Sequence, residues 1–288
     1  MKRSVYVLCS LLHYRLTSHA SRITHMDLSI IIVNYNSGDT LIECLSSIYE
    51  RVEGITFEVI LVDNHSADGS PHEIKRSFPQ VYLIENERNI GFSRACNRGI
   101  KRAGGDFLLF LNPDIIMCKS ISFPELLDYM KKNRRTGLLG CKLINLDGTV
   151  QSSCRRFPDI LTVIFKRISV FQCFSFARKK VSDYLKPVSN YTEVQNVDWL
   201  LGAFLLTSRE IINKIGPFDE RFFIYFEDVD FCRRVHRKGY EVCYYPLMEV
   251  LHYHKRESAK GFNKILFLHI WSGIKYFWKW CGEVKSEK

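Results

Sequence analysis

Short apolar runs alternate with amphipathic stretches through the first half of the chain. Residues 28–33 (LSIIIV), 57–62 (FEVILV) and 107–111 (FLLFL) are almost continuously aliphatic or aromatic, which is how a strand buried on both faces reads. A shorter run at 81–84 reads as a further strand. Between them, residues 40–49 put Leu41, Cys44, Leu45 and Ile48 on one side of a helix. Residues 71–78 predict a short helix, and 92–103 a longer one ended by Gly104-Gly105. This β-α-β-α order predicts a Rossmann-like α/β domain with a mostly parallel sheet and helices on both faces. Ligands of such sheets bind beyond the carboxyl ends of the strands. Asn34-Tyr35-Asn36, Asp63-Asn64 and Asn112-Pro113-Asp114 all follow strands, so polar side chains converge on one rim.

The second half is less regular. A helix is predicted over 125–133, a strand over 138–143 and a buried strand over 199–207. Gly216-Pro217-Phe218-Asp219 is a turn, and a helix runs from 227 to 238, stopped by Gly239. Two short strands, 241–245 and 249–252, complete the core. With no internal repeat and no long linker, residues 27–258 read as one domain.

The 288 residues (33.7 kDa) are 46% hydrophobic and 25% charged, a globular composition that excludes a wholly disordered chain. No apolar run approaches the ~20 residues of a membrane-spanning helix. The 10 cysteines never fall at CxxC spacing, so a zinc ribbon is excluded, and a chain of this length needs no disulfide framework. Reduced, mostly buried thiols in a cytoplasmic protein are expected.

The net charge of +10 is unevenly spread. Residues 1–26 carry four basic and no acidic residues, 155–186 eight against two, and 255–288 eight against three, so the remaining core is acidic. Residues 1–26 contain a weak apolar stretch after Lys2-Arg3. They read as an extension, disordered or upstream of a native start at Met26. The basic insertion at 155–186 and the tail at 259–288 are also rich in large apolar residues. In the tail Phe262, Ile265, Leu266, Ile270, Trp271, Ile274, Phe277 and Trp278 share a broad helical face with lysines beside it. That mixture suits the headgroup layer of an anionic membrane, and equally a helix packed on the core. With no recognised nucleic-acid motif among the basic residues, nucleic acid is not expected as a partner.

Asn112-x-Asp114 at a strand end can hold a hard divalent cation whose shell is completed by phosphate and water, and is also a good turn-former. Asp63 reads as a helix cap or a nucleobase ligand. The cluster Glu227, Asp228 and Asp230 suits a helix start. It equally crowds carboxylates closely enough to lift one pKa toward that of a general base. His252, near His254, reads as a metal ligand or a satisfied polar side chain.

The order of these pieces is more specific than any one of them. SIIIVNYNS (29–37), VDNHSADGS (62–70), NIGFSRACNRGI (89–100), FLLFLNPD (107–114), WLLGAFLLTSR (199–209), FDERFFIYFEDVDFCRR (218–234) and VLHYHKRES (250–258) resemble family 2 glycosyltransferases. The resemblance runs from about 28 to 258 and is nearest to the rhamnosyltransferase-like branch of bacterial surface-polysaccharide enzymes. It implies a GT-A fold, a nucleotide-diphosphate sugar donor, a Mg²⁺ or Mn²⁺ ion and inversion at the anomeric carbon. Carried over by residue, Tyr35, Asp63, Asn89, Asn97 and Asn112 line the donor, with Asp63 near the base. Asp114 and His252 hold the metal, Trp199 and Gly202 lie by the acceptor, and Asp228 is the catalytic base, with Glu227 and Asp230 as second choices. Asn112 stands where the motif has an acid, which leaves one carboxylate rather than two.

The implied reaction uses dTDP-L-rhamnose or a UDP-sugar, with a saccharide or polyprenyl-linked acceptor, in cell-surface polysaccharide synthesis at the cytoplasmic face of the inner membrane. A nucleotidyltransferase is disfavoured, because 34–40 (NYNSGDT) has no lysine or arginine for a phosphate loop. A non-catalytic sugar- or lipid-binding scaffold would be expected to lose Asp63, Asp114 and Asp228, which are all present.

Overall fold

The computed structural model describes residues 25–118, 122–167, 171, 173–185, 191–253 and 264–281. The expectations for residues 1–24, His254 and Phe262 lie outside these. From β1 (Leu28–Asn34) the chain runs through α1 (Gly38–Arg51), β2 (Phe57–Asp63), α2 (Ser70–Ser77), β3 (Tyr82–Glu85), α3 (Phe92–Arg102) and β4 (Phe107–Leu111). Next come β5 (Ile115–Met117), α4 (Phe123–Lys132), β6 (Thr136–Ile144), β7 (Cys154–Arg155), α5 (Ile160–Arg167) and α6 (Ser175–Leu185). The rest is β8 (Gln195–Asn196), β9 (Trp199–Leu200), β10 (Phe204–Ser208), α7 (Arg209–Ile215), α8 (Glu227–Arg237), β11 (Glu241–His252) and α9 (Lys264–Trp280).

The main sheet has the order β3-β2-β1-β4-β10-β6-β11-β5, with β8 added to β11. Strands β3, β2, β1 and β4 are parallel, as their pattern predicts. Every residue of β1 is buried because both faces are covered. Ile30 and Ile32 pack in one cluster with Leu41, Leu45 and Leu126, from α1 and α4. Ile31 and Val33 pack in the other with Ala95, Cys96, Phe231 and Val235, from α3 and α8. At Gly99 of α3 a Cβ would meet Ile31 Cγ2 at 2.5 Å, so helix and sheet approach as closely as they do only because that residue is glycine.

The mostly parallel sheet expected is present, and beyond β4 it becomes mixed because β10 runs antiparallel to both β4 and β6. Two expectations need correction. The strand expected over 199–207 is broken at 201–203, because backbone donors there leave the ladder: Leu201 N–H donates to Ser153 O and Gly202 N–H to Asp228. The two strands expected at 241–245 and 249–252 are one, β11. Its register with β6 jumps between Tyr245 and Glu249, where Pro246 has no N–H to donate, and the chain bulges rather than leaving the sheet.

Of the expected thiols, nine are described and all are free, with Cys44, Cys96, Cys141, Cys154, Cys232 and Cys243 buried. Among the described residues no helix is long and apolar enough to cross a membrane. Helix α9 docks one face, burying Ser272, Tyr276 and Trp280, while Phe267, Ile270, Trp271, Ile274 and Trp278 remain exposed along the other.

Candidate active site

The loops after β1, β2 and β3 form the first part of the rim. Asn34, fully buried, donates from Nδ2 to Asp63 Oδ1 (2.7 Å) and Ser70 Oγ (2.8 Å). Asp63 also accepts from Ser66 N (2.9 Å) and Ser66 Oγ (2.6 Å). Its carboxylate therefore fixes two loops from within. Tyr35, by contrast, is 53% exposed at the end of β1, an open ring on which a base can stack. Asn89 Oδ1 accepts from Gly91 N (2.9 Å) and shapes the entry to α3. Gly91 is at φ +89°, and a Cβ there would meet Phe223 O at 2.7 Å, so the loop before α8 lies directly on this turn.

The donor role expected of Asn97 is not what its side chain does. Its amide donates to Phe218 O (2.9 Å) and accepts from Phe218 N (2.9 Å), a two-point clasp holding the 218–226 loop to α3. Trp199, expected by the acceptor, is buried, and its Nε1–H donates to Arg156 O (2.7 Å).

The two residues expected to hold the metal are brought together by strand pairing. Antiparallel β5–β11 sets His252 opposite Ile115, and Tyr253 N–H donates to Asp114 O (3.0 Å). His252 Nε2 consequently lies 3.5 Å from Asp114 Oδ1. Gln151 determines which nitrogen carries the proton. Its Nε2–H donates to His252 O (3.0 Å), which orients the amide so that Oε1, an acceptor only, faces His252 Nδ1 at 2.8 Å. With Nδ1–H donating to Gln151, the neutral ring has its lone pair on Nε2, facing the Asp114 carboxylate. Asp114 Oδ1 is buried and accepts no hydrogen bond. A lone pair and a carboxylate oxygen facing each other across a short gap fit a divalent cation, with Gln151 as the outer group that fixes the ligand's tautomer. Among the described residues no group of three or more His, Cys, Asp or Glu side chains forms a complete cage. Two protein ligands suit a hard cation that fills its shell with phosphate and water. Asn112 contributes its backbone here: N–H to Ala203 O (3.0 Å), and O from Cys44 Sγ (3.8 Å).

The acidic cluster follows a strained turn. Tyr225 and Phe226, neither of them glycine, both adopt φ 68° and deliver Glu227 and Asp228 to the start of α8. Asp228 accepts from Val229 N (2.8 Å) and Gly202 N (3.0 Å). A Cβ on Gly202 would come to 3.4 Å from Asp228, so glycine keeps this backbone donor close to the carboxylate. Burial raises the pKa of Asp228, opposed by the two N–H groups and the nearby Arg155 charge. Burial raises Glu227 further, reinforced by Asp228, and Glu227 Oε2 has no hydrogen-bond partner. Glu227 is thus the member of the pair that holds a proton, and Asp228 the one better able to ionise. Asp230, second choice with Glu227 on sequence grounds, is neutralised by Arg234 (2.9 Å) and Lys279 (2.5 Å) and bonded by Trp280 Nε1–H (3.0 Å). It is a structural anchor.

The segment 199–203 joins the two halves of the site: Ala203 O holds the Asn112 backbone, and Gly202 N–H holds Asp228. Asp63, Asp114 and Asp228 therefore belong to one rim, Asp63 as an inward-facing organiser. A cavity of about 430 Å³ bounded by Phe107, Met130, Lys131, Thr136 and Tyr240 lies at the opposite end of the strands.

The model of the family described as Glycosyl transferase family 2 matches residues 29–185. The N-acetylglucosaminyl-diphospho-decaprenol L-rhamnosyltransferase of Mycobacterium tuberculosis (strain ATCC 25618 / H37Rv) is 32% identical over 243 residues, 81% of this chain and 77% of the relative. Rhamnosyltransferase WbbL of Escherichia coli (strain K12) is 28% identical over 197 residues, 68% of this chain and 70% of that one. Among solved structures, GalNAc-T7 with UDP, GalNAc and Mn²⁺ superposes with a TM-score of 0.65 at 18% identity. That likeness covers 91% of this chain and 49% of the other, so the chain spans about half of GalNAc-T7. S. aureus TarS 1-349 in complex with UDP-GlcNAc gives a TM-score of 0.56 at 17% identity, over 83% of this chain and 62% of that one. At such identities the solved structures speak to the fold alone, which is the GT-A fold expected.

Proposed function

Because the chain belongs to glycosyl transferase family 2, we propose that it transfers a sugar, with inversion, from a nucleotide-diphosphate donor to a hydroxyl of a lipid-linked saccharide. The work of both named relatives as rhamnosyltransferases supports dTDP-L-rhamnose as the donor and surface-polysaccharide assembly as the setting. The observation that carries the reading is the 199–203 segment, with the Asp114–His252 pair at one end and Asp228 hydrogen-bonded beside it.

In this reading Tyr35 stacks on the nucleobase while Asn34 and Asp63 hold its loop in shape, and Asn89 sets the turn beneath the donor. Asp114 and His252 hold Mg²⁺ or Mn²⁺, which when bound neutralises charge on the departing diphosphate. The acceptor oxygen attacks the anomeric carbon from the face opposite the diphosphate. Its proton passes to an Asp228 carboxylate oxygen, and the carbon–oxygen bond to phosphate breaks with its electron pair leaving on the diphosphate. Gly202 N–H and Val229 N–H oppose the burial that raises the Asp228 pKa and aim its carboxylate; general-base help of this kind is worth ~10²–10⁴-fold. Fixing both reactants across one short segment supplies an orientation advantage besides.

The exposed face of α9 supports a peripheral position on an anionic membrane, at the cytoplasmic side where lipid-linked acceptors are elongated. The purified chain is tested with dTDP-L-rhamnose and with UDP-sugars, a prenyl-diphospho-saccharide acceptor, and a titration of Mg²⁺ or Mn²⁺. Acceptor-dependent release of one nucleoside diphosphate is expected, and His252→Ala should raise the metal concentration needed by about 10–100-fold. Absence of release with every donor defeats the transferase reading. An unchanged metal titration removes His252 from the site.

A further inference from the structure

The segment Gln151–Arg156 runs along the site, fixing His252 with its first residue and carrying a pair of arginines at its far end. Arg155 sits in β7, directly opposite Trp199 in β9. Its guanidinium carbon is 5.2 Å from the centre of the Trp199 ring, and the Tyr184 ring lies 6.5 Å from that ring, its hydroxyl close enough to feel the Arg155 charge. Trp199 is itself fixed by its bond to Arg156 O, and Tyr184 O accepts from Arg156 N (3.1 Å), so the flanking groups are rigid. Arg155 Nε is buried and has no acceptor. A guanidinium held on an aromatic face with a donor left unused is a preformed fork for an oxyanion.

Its place along the site identifies the ligand. Residue 203 contacts the backbone of Asn112 at the metal end, residue 202 contacts Asp228, and residue 199 pairs with Arg155. Arg155 therefore lies beyond Asp228 from the metal residues, on the side from which the acceptor arrives. An acceptor sugar attached to a lipid diphosphate carries its nucleophilic hydroxyl and its phosphate on the same ring. A cation for that phosphate must lie within about one sugar's width of the base, and Arg155 is close enough for Asp228 to feel its charge.

We infer that Arg155, framed by Trp199 and Tyr184, is the recognition site for the phosphate group of the lipid-linked acceptor. This rests on the glycosyltransferase reading for which side of Asp228 the acceptor occupies. The phosphate of the donor is the other source of the same chemistry, and the test separates the two.

Full-length protein is titrated calorimetrically with geranyl diphosphate, and separately with dTDP and UDP in the presence of Mg²⁺. Wild type binds geranyl diphosphate. Arg155→Gln is expected to weaken that binding by about tenfold or more, Arg155→Lys by less, and both to leave nucleoside diphosphate affinity within about twofold. Tyr184→Phe, which removes only the orienting hydroxyl, gives a smaller loss in the same direction and serves if Arg155→Gln does not fold. Loss of nucleoside diphosphate binding in Arg155→Gln assigns the residue to the donor and overturns the proposal. So does geranyl diphosphate binding that is absent in wild type or equal in all variants. If Arg155-dependent binding is seen but no donor is turned over, the phosphate site stands and the transferase reading falls. Turnover of a donor with an acceptor KM unmoved by Arg155→Gln has the reverse meaning.

Discussion

In the base role proposed for it, Asp228 must carry a negative charge to accept a proton, yet burial beside Glu227 opposes that charge. The hydrogen bonds from Gly202 and Val229 and the field of Arg155 answer burial only in part, leaving the pKa above the ordinary aspartate value of 3.8. The pH dependences of rate and stability then run in opposite directions. Transfer falls as pH drops through the raised pKa, because the base is protonated. Stability follows the other sign: each raised carboxyl favours the folded state fully below its unfolded pKa, and that contribution is lost as pH rises through the folded value. Asp228→Asn is expected to lower kcat by ~10²–10⁴-fold while nucleotide affinity stays unchanged. It should also reduce the loss of thermal stability between acid and neutral pH. A pH series of kcat and Tm for both proteins checks this, and near-normal turnover in the variant removes Asp228 from the base role. The sequence exposed this aspartate through its crowded neighbours. It hid Gln151, a glutamine in a hydrophilic stretch whose target is 101 residues away, and Arg155, which reads as one more charge in a basic insertion.

Elements buried on both faces were legible because burial forces continuous apolar runs; β1, β2 and β4 are of this kind, and their strand-end polar residues follow from them. Strand direction was not legible, since β10 has the same apolar pattern whether it runs parallel or antiparallel. The three-residue β5 is too short for periodicity, yet it is the strand that places His252 beside Asp114. Asn97 resembled a ligand because its clasp partner, Phe218, is 121 residues downstream. Helix α9 shows the same limit. Its lysines read as partners of a membrane headgroup layer, whereas Lys279 bridges Asp219 (2.7 Å) and Asp230 (2.5 Å) and ties α9 to α8. Burial pushes the Asp219 carboxyl up, but Arg221 and Lys279 outweigh it and hold the pKa well below the usual range. Removing one partner from a buried pair costs about 3–5 kcal/mol. Lys279→Met is therefore expected to destabilise the fold by about 3 kcal/mol in urea denaturation. A change below about 0.5 kcal/mol would show the bridge to be no more than a surface contact.

Across the whole molecule, α9 separates two surfaces with different demands. One face places Gly273 against the ring of Phe226, the left-handed residue that precedes Glu227, and buries Tyr276 and Trp280 behind α8. The opposite face exposes Phe267, the adjacent pair Ile270 and Trp271, Ile274 and Trp278, about one helical turn apart, with Trp278 at 79% exposure. A second exposed apolar group, Ile160, Leu161, Phe174 and Phe176, belongs to the basic insertion. Scattered apolar residues on a surface need no explanation, but a stripe along one helix with two tryptophans suits the headgroup layer of a bilayer. Each large side chain buried there contributes about 1.5–3 kcal/mol, so changing both Trp271 and Trp278 to Ser should weaken vesicle binding by roughly a hundredfold or more. Flotation with vesicles containing anionic lipid measures this. The apolar contribution should persist in high salt while the contribution of the basic residues fades with screening. Because these tryptophans point away from the docked face, transfer to a short-chain, water-soluble acceptor should keep its rate, while transfer to acceptor embedded in vesicles falls. Equal flotation of wild type and the double variant, or equal losses on both acceptors, would mean that the stripe serves the fold and not the bilayer.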